Sequence, residues 1–330
     1  MTDCYRFKNP SQISIELTNI CNFHCLHCIN NASINCEEYI DRKKIYEIID
    51  YMKANGIVCL DFSGGEPLLY PNFLDIIDYA ADNEMTLSIA TNGSLLTDNI
   101  LSSLKNANVS LRISLDGFNE KINSIFRPKN TFCLVDDKIN LCINHGLIPT
   151  ISCVLHKRNY DHFEALVEYV KSKKLKKIRV IPFIANGRGD KYKKEMLTKA
   201  QWKNFILGHK IIESKYGIEI AIDSPLQSII TNDYMPCVVG KFLAVIKPNG
   251  DVIPCSILNV VIGNIYKQSI KEIWNNKLID ELNDTNLLKG KCKKCNLREK
   301  CSGGCRGLAF SLKGDYLCPD PYCWKLNQNK

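Results

Sequence analysis

The chain has 330 residues, 45% of them hydrophobic and 24% charged, with a formal net charge of +8. That is enough for one large or two moderate domains with real cores, and no apolar run approaches the roughly 20 residues of a membrane span. The lysines are scattered rather than massed, which weighs against nucleic acid, and no signal-peptide core opens the chain, so a cytoplasmic location is expected.

Strand-like runs recur at 13–17, 57–62, 86–91, 109–115, 148–154 and 177–183. They are mostly apolar, as expected of strands covered on both faces. Helix-compatible segments lie between them, at 41–54, 72–83, 97–106, 132–145 and 160–174. Such alternation predicts a parallel sheet. Six units fall short of the eight in a closed barrel, so the predicted fold is α/β, a partial (β/α)6 TIM-type barrel. After residue 215 the pattern changes. A strand at 218–222 precedes a hairpin turning at Asn249-Gly250, a short helix at 269–276 and a cysteine-dense tail at 292–323. The tail has too few large apolar residues for an ordinary core, and metal is the expected staple. The predicted division is therefore 1–215 for the barrel and 216–330 for a cysteine-rich domain.

Seventeen cysteines in a reducing compartment point to metal rather than disulfides. Cys21, Cys25 and Cys28 form a C-x3-C-x2-C loop just after the first strand. His24 and His27 lie between them, so a zinc site with three thiolates and one imidazole is an alternative. A three-thiolate loop also suits a [4Fe–4S] cluster with one iron left free, the open position a metal site keeps when it must bind a small molecule. The second strand ends in Ser63-Gly64-Gly65-Glu66-Pro67, the third in Thr91-Asn92-Gly93 and the fourth in Ser114-Leu115-Asp116-Gly117. All of these turns belong at the C-terminal mouth, where barrel enzymes place their sites.

These motifs resemble those of the radical S-adenosylmethionine enzymes. The resemblance implies that Cys21, Cys25 and Cys28 hold a [4Fe–4S] cluster whose open iron is chelated by S-adenosylmethionine. Cleavage of that cofactor by one electron would give a 5′-deoxyadenosyl radical that takes a hydrogen atom from substrate. It also implies that Gly64, Gly65 and Glu66 contact the methionine amine, and that Ser114 and Asp116 serve the ribose and carboxylate region. Arg127 would reach the cofactor carboxylate and His27 would pack by the adenine.

The tail reads Cys237-x12-Gly250-x4-Cys255, then C-x2-C-x5-C-x3-C across Cys292, Cys295, Cys301 and Cys305, then Cys323. This pattern resembles the SPASM extension of the same family. By that resemblance Cys292, Cys295, Cys301 and Cys323 ligate one auxiliary [4Fe–4S] cluster, and Cys237, Cys255 and Cys305 another, for three clusters in all. The last set is one thiol short: either the site is open or Cys318 completes it. Of the thiols left over (Cys4, Cys36, Cys59, Cys133, Cys142, Cys153 and Cys318), most are expected in cores. Cys153 ends the fifth strand and could face the lumen as a hydrogen-atom donor.

The resemblance implies an enzyme that oxidatively modifies a peptide or protein side chain, its auxiliary clusters accepting electrons or binding substrate. Alternatives are a small-molecule substrate (a tetrapyrrole, sugar or cofactor precursor) and a non-catalytic iron–sulfur or zinc module. An external one-electron reductant of flavodoxin or ferredoxin type is implied. Sulfatase-maturing members carry an aspartate after the thiol matched by Cys255. Here Ser256 stands there, so formylglycine formation lacks its expected base. Only twenty residues precede Cys21, so a peptide substrate is expected to need a separate recognition protein or recognition by the barrel and tail.

Overall fold

The computed structural model describes residues 8–325. Six parallel strands appear as predicted: β1 (Gln12–Glu16), β2 (Cys59–Ser63), β3 (Thr86–Thr91), β4 (Ser110–Ser114), β5 (Thr150–Leu155) and β6 (Lys177–Pro182). The crossovers are α1 (Arg42–Ala54), α2 (Phe73–Asp82), α3 (Asp98–Asn106), α4 (Phe132–Asn144) and α5 (Phe163–Ser172). Local chemistry sets their ends. The Asp41 and Thr97 side chains accept from the Lys44 and Ile100 amides, capping α1 and α3. The helix α6 (Lys199–Tyr216) starts with a Thr198–Gln201 capping box and stops at Gly217, at φ +68.

The sheet does not end with β6. A seventh strand, β7 (Glu219–Ile222), pairs parallel with β6, and β8 (Leu243–Ile246) pairs parallel with β1. The hairpin predicted around Asn249-Gly250 joins β8 to β9 (Asp251–Ile253), and β10 (Gly263–Asn264) completes the order β10-β9-β8-β1-β2-β3-β4-β5-β6-β7. Strands following residue 215 thus cover both edges of the six-stranded unit. Among the helices that follow are α7 (Ile270–Trp274), at the predicted short helix, and α8 (Arg306–Lys313), inside the cysteine-dense tail.

The strands also differ from the expectation of two apolar faces. One face carries Ile13, Ile15, Leu60, Phe62, Leu87, Ile89, Leu111 and Ile113, all buried in the main core. The other carries Ser14, Asp61, Arg112, Thr150 and Arg179. Residues on eight strands, from β8 round to β7, line one cavity of about 660 Å³, so the sheet curls with its polar face inward. A filled barrel interior would be apolar; a hollow one must be wetted, and the period-two alternation follows.

Cys142 and Cys153 are buried in the core as expected of spare thiols, whereas Cys36, Cys59 and Cys318 are half-buried and Cys133 is exposed. Cys4 lies outside the described residues.

Candidate functional site

The cysteine loop is held by bare backbone. Gly65 N donates to Thr18 O at 2.6 Å and Glu66 N to Ile20 O at 2.8 Å, laying the turn after β2 against the segment that runs from β1 into Cys21. A Cβ on Gly64 (φ +129) would fall 2.4 Å from Thr18 O, and one on Gly65 would fall 2.1 Å from Ile20 O. The glycine pair is therefore required by the cysteine loop itself. Glu66 is fully buried. Its carboxylate accepts from Thr91 Oγ1 at 2.6 Å, from Asn92 N at 2.8 Å and from Leu68 N at 3.2 Å, tying the β2 turn to the β3 turn. Burial pushes its pKa up to about 7 against those donors. Asn92 Nδ2 in turn lies 3.9 Å from Cys21 Sγ.

Burial raises the Cys21 thiol to about 12 and Cys25 to about 11. Thiols so disfavoured as anions become thiolates only beside a strong positive charge, which is what a metal cluster supplies. Among the described residues no three His, Cys, Asp or Glu side chains converge closely enough for a single ion.

Behind the loop, Asp116 and Arg127 form a buried pair. Arg127 Nε lies 2.7 Å from Asp116 Oδ2, Arg127 Nη2 donates to Asp116 Oδ1 at 3.1 Å, and Val154 N donates to the same oxygen at 2.8 Å. Burial raises the Asp116 carboxyl, but the guanidinium, with His27 and the Val154 amide, holds it below its ordinary range. His27 Nε2 stands 3.5 Å from Asp116, and its ring stacks on Phe126 at 5.5 Å. His156 meets the same phenyl ring at 4.3 Å. Burial pushes both imidazoles down to about 4, so both are neutral at pH 7. Ser114 sits half-buried at the end of β4, on the concave side with Arg112.

Cys153 requires a correction. Thr150 lines the cavity, and the alternation along β5 turns Ile151, Cys153 and Leu155 the other way, into the main core. Cys153 is 1% exposed and cannot serve as a lumenal hydrogen-atom donor.

Sequence reasoning missed Arg188. Its backbone N donates to Cys28 O at 3.0 Å, Nε to Cys25 O at 2.8 Å and Nη2 to Ala32 O at 2.9 Å, clamping the cysteine loop from the segment after β6. The neighbouring Asn186 donates to Ile257 O and accepts from Ser311 Oγ at 2.6 Å, so this segment also holds the tail. The run Asn186-Gly187-Arg188-Gly189 was the available clue: a Cβ on Gly187 would fall 2.3 Å from Ile29 O.

In the tail, Cys292, Cys295, Cys301 and Cys323 line one small cavity with Ile229, Leu297, Gly303, Arg298 and Lys325. Cys237, Cys255 and Cys305 form a second group whose charges act on one another. Cys318 is placed with Asp315 and Lys289, while the buried Asp320 accepts from Cys305 N at 2.7 Å. Ser256, next to Cys255, lines both the barrel cavity and a second cavity of about 460 Å³. That second cavity runs between Ile29–Asn31 of the cysteine loop and Phe310 and Ser311 of α8. Two ion pairs face the barrel cavity: Arg112 with Asp61, which also accepts from Ser14 and Ser88, and Arg179 with Asp223, 3.0 Å from Nε and 2.6 Å from Nη2.

Residues 15–170 match the radical SAM superfamily, and residues 237–296 match an iron–sulfur cluster-binding domain, SPASM. An AdoMet-dependent heme synthase of Methanosarcina barkeri is 31% identical over 340 residues, covering 95% of this chain and 96% of that protein. The chain belongs to the radical SAM superfamily. This radical SAM chain is also 25% identical to the mycofactocin maturase MftC of Mycobacterium tuberculosis, over 95% of its own length and 83% of that protein. Its fold superposes on Streptococcus suis SuiB bound to S-adenosylmethionine with a TM-score of 0.79 at 18% identity, covering 96% of this chain and 78% of that one. It is an enzyme whose cofactors are S-adenosylmethionine and iron–sulfur clusters. Among the described residues no helix is long and apolar enough to cross a membrane.

Proposed function

We propose that this enzyme removes hydrogen from a side chain of a peptide or protein held in the polar cavity, passing an electron to the tail. The observation that carries the proposal is Ser256, which lines both the barrel cavity and the space between the cysteine loop and α8. A substrate there lies within reach of both the radical source and the group of Cys237, Cys255 and Cys305. When bound, the first cluster with S-adenosylmethionine supplies a 5′-deoxyadenosyl radical. The chain's own residues position the rest. Cys21, Cys25 and Cys28 hold the cluster, with Arg188 and the Gly64-Gly65 turn fixing their loop. The backbone of Gly64 to Glu66 presents carbonyls to the methionine amine, Ser114 meets the ribose, and the neutral His27 lies by the adenine. Asp116 keeps Arg127 charged and oriented beside Cys25.

In this reading 1–215 form the radical-generating unit and 216–330 the auxiliary unit, with three clusters in total. The four-thiol cavity suits a fully ligated cluster, and the second group is open rather than completed by Cys318, which stands with Asp315. The reductant is an external flavodoxin- or ferredoxin-type protein. The name of one relative, PqqA peptide cyclase, supports a peptide substrate. A second reading, a small molecule such as a tetrapyrrole, is favoured by the likeness to the heme synthase along nearly the whole of both chains.

The test is anaerobic reconstitution with S-adenosylmethionine and dithionite, expecting about twelve irons per chain, four for each cluster. Candidate peptides from neighbouring genes, with deuterated side chains, should transfer deuterium into 5′-deoxyadenosine and lose two hydrogens by mass. Transfer from a tetrapyrrole instead would establish the second reading.

A further inference from the structure

Arg306, the first residue of α8, is 1% exposed. A guanidinium taken out of water needs an anion or a full set of acceptors. Arg306 has one long bond, from Nη1 to Tyr316 O at 3.3 Å, and its Nε and Nη2 have no hydrogen-bond partner among the described residues. Among the described residues no carboxylate forms an ion pair with it; the buried Asp320, on which its charge acts, accepts instead from the Cys305 and Tyr322 amides. Its surroundings are thiols. Gly303 lines the cavity formed by Cys292, Cys295, Cys301 and Cys323, and a Cβ on Gly303 (φ +81) would fall 2.6 Å from Arg306 Nη1. On the other side Arg306 directly follows Cys305, a member of the second group and the N-cap of α8. The residue therefore stands between the two thiol sets, and the glycine is what leaves room for it.

We propose that the Arg306 guanidinium is the shared counter-ion of the two auxiliary iron–sulfur sites, donating Nε–H and Nη2–H toward their sulfurs and raising the reduction potential of both. This rests on the assignment of the tail cysteines to two clusters. A thiolate-ligated cluster becomes more negative on reduction, so an adjacent cation and sulfur-directed donors favour the reduced form. The consequence is directional: the tail becomes a better electron acceptor, which suits an enzyme that must oxidise a substrate radical. Because Arg306 faces both sets, one substitution moves both potentials together, which no local packing defect in a single cluster would do.

The experiment uses the full chain carrying Cys21→Ala, Cys25→Ala and Cys28→Ala, reconstituted anaerobically so that only auxiliary clusters remain. Iron is counted, and midpoint potentials are read by redox titration with electron paramagnetic resonance, with and without Arg306→Met. The expected result is full auxiliary iron with both midpoints lowered, by at least a tenfold change in each reduction equilibrium, which is 59 mV for a one-electron couple. Arg306→Lys keeps the charge but loses the fork, and should give a smaller fall in both; it carries the test if the methionine variant does not load iron. Unchanged midpoints with full iron overturn the role of Arg306 while leaving the cluster assignment standing. Absence of clusters in the parent of this series overturns the assignment and the proposal with it.

Discussion

The Glu66 carboxylate accepts three hydrogen bonds that tie two turns together, and its environment makes its charge costly. Its pKa is raised from 4.5 to about 7 by burial. A raised folded-state value favours the protonated form, so the associated stability is fully present below about 4.5 and is lost as pH rises through about 7. At about 1.4 kcal/mol per pH unit this is at most on the order of 3 kcal/mol. In apo protein, wild-type stability relative to Glu66→Gln should therefore fall across that window in denaturation series at several pH values; a flat difference would contradict it. Gly65→Ala should destabilise at every pH, since its Cβ would meet a carbonyl at 2.1 Å. A loss of about 2 kcal/mol or more in chemical denaturation, with poor iron uptake by the first site, is expected. The thiol spacing and the glycine pair were legible in the sequence because their reasons are local. Arg188 and Arg306 were not, because their partners are carbonyls and thiols brought close only by the fold: Arg188 Nε bonds a carbonyl 163 residues away. Cys153 was misread because a one-residue error of parity moves a side chain to the opposite face of a strand.

Among elements, the six strands and five crossover helices were legible through apolar runs, turns and caps. Their inward polarity was not, because short runs such as residues 13–17 contain single polar residues that read as tolerated exceptions. Ser14 and Asp61, hydrogen-bonded at 3.1 Å across β1 and β2, show that these exceptions form one face. The segment after β6 joins the loop after β1 to the tail through Arg188 and Asn186. Arg188→Ala removes two side-chain bonds to the cysteine loop and should cost about 1–3 kcal/mol. It should also speed chelator-driven iron loss from the Cys21, Cys25 and Cys28 site, with tail iron retained; equal loss from both would contradict a local clamp.

At the scale of the molecule, β7 and β8 close both edges of the β1–β6 sheet. The sequence suggested a break near residue 215, because composition changes there, but strand pairing crosses that point and leaves no trace in composition. A fragment ending at residue 215 would expose the free edges of β1 and β6, and is expected to aggregate in size-exclusion chromatography where the full chain does not. All of these features converge on the C-terminal mouth, where the proposed function leaves one iron of the first cluster for the cofactor. The most direct measurement is electron–nuclear double resonance on the reduced, reconstituted enzyme with S-adenosylmethionine labelled at its amino nitrogen, in the wild type and in the variant lacking Cys21, Cys25 and Cys28. A labelled-nitrogen coupling to the cluster in the wild type, lost in the variant, is the predicted result; a reduced first cluster with no such coupling would contradict the account.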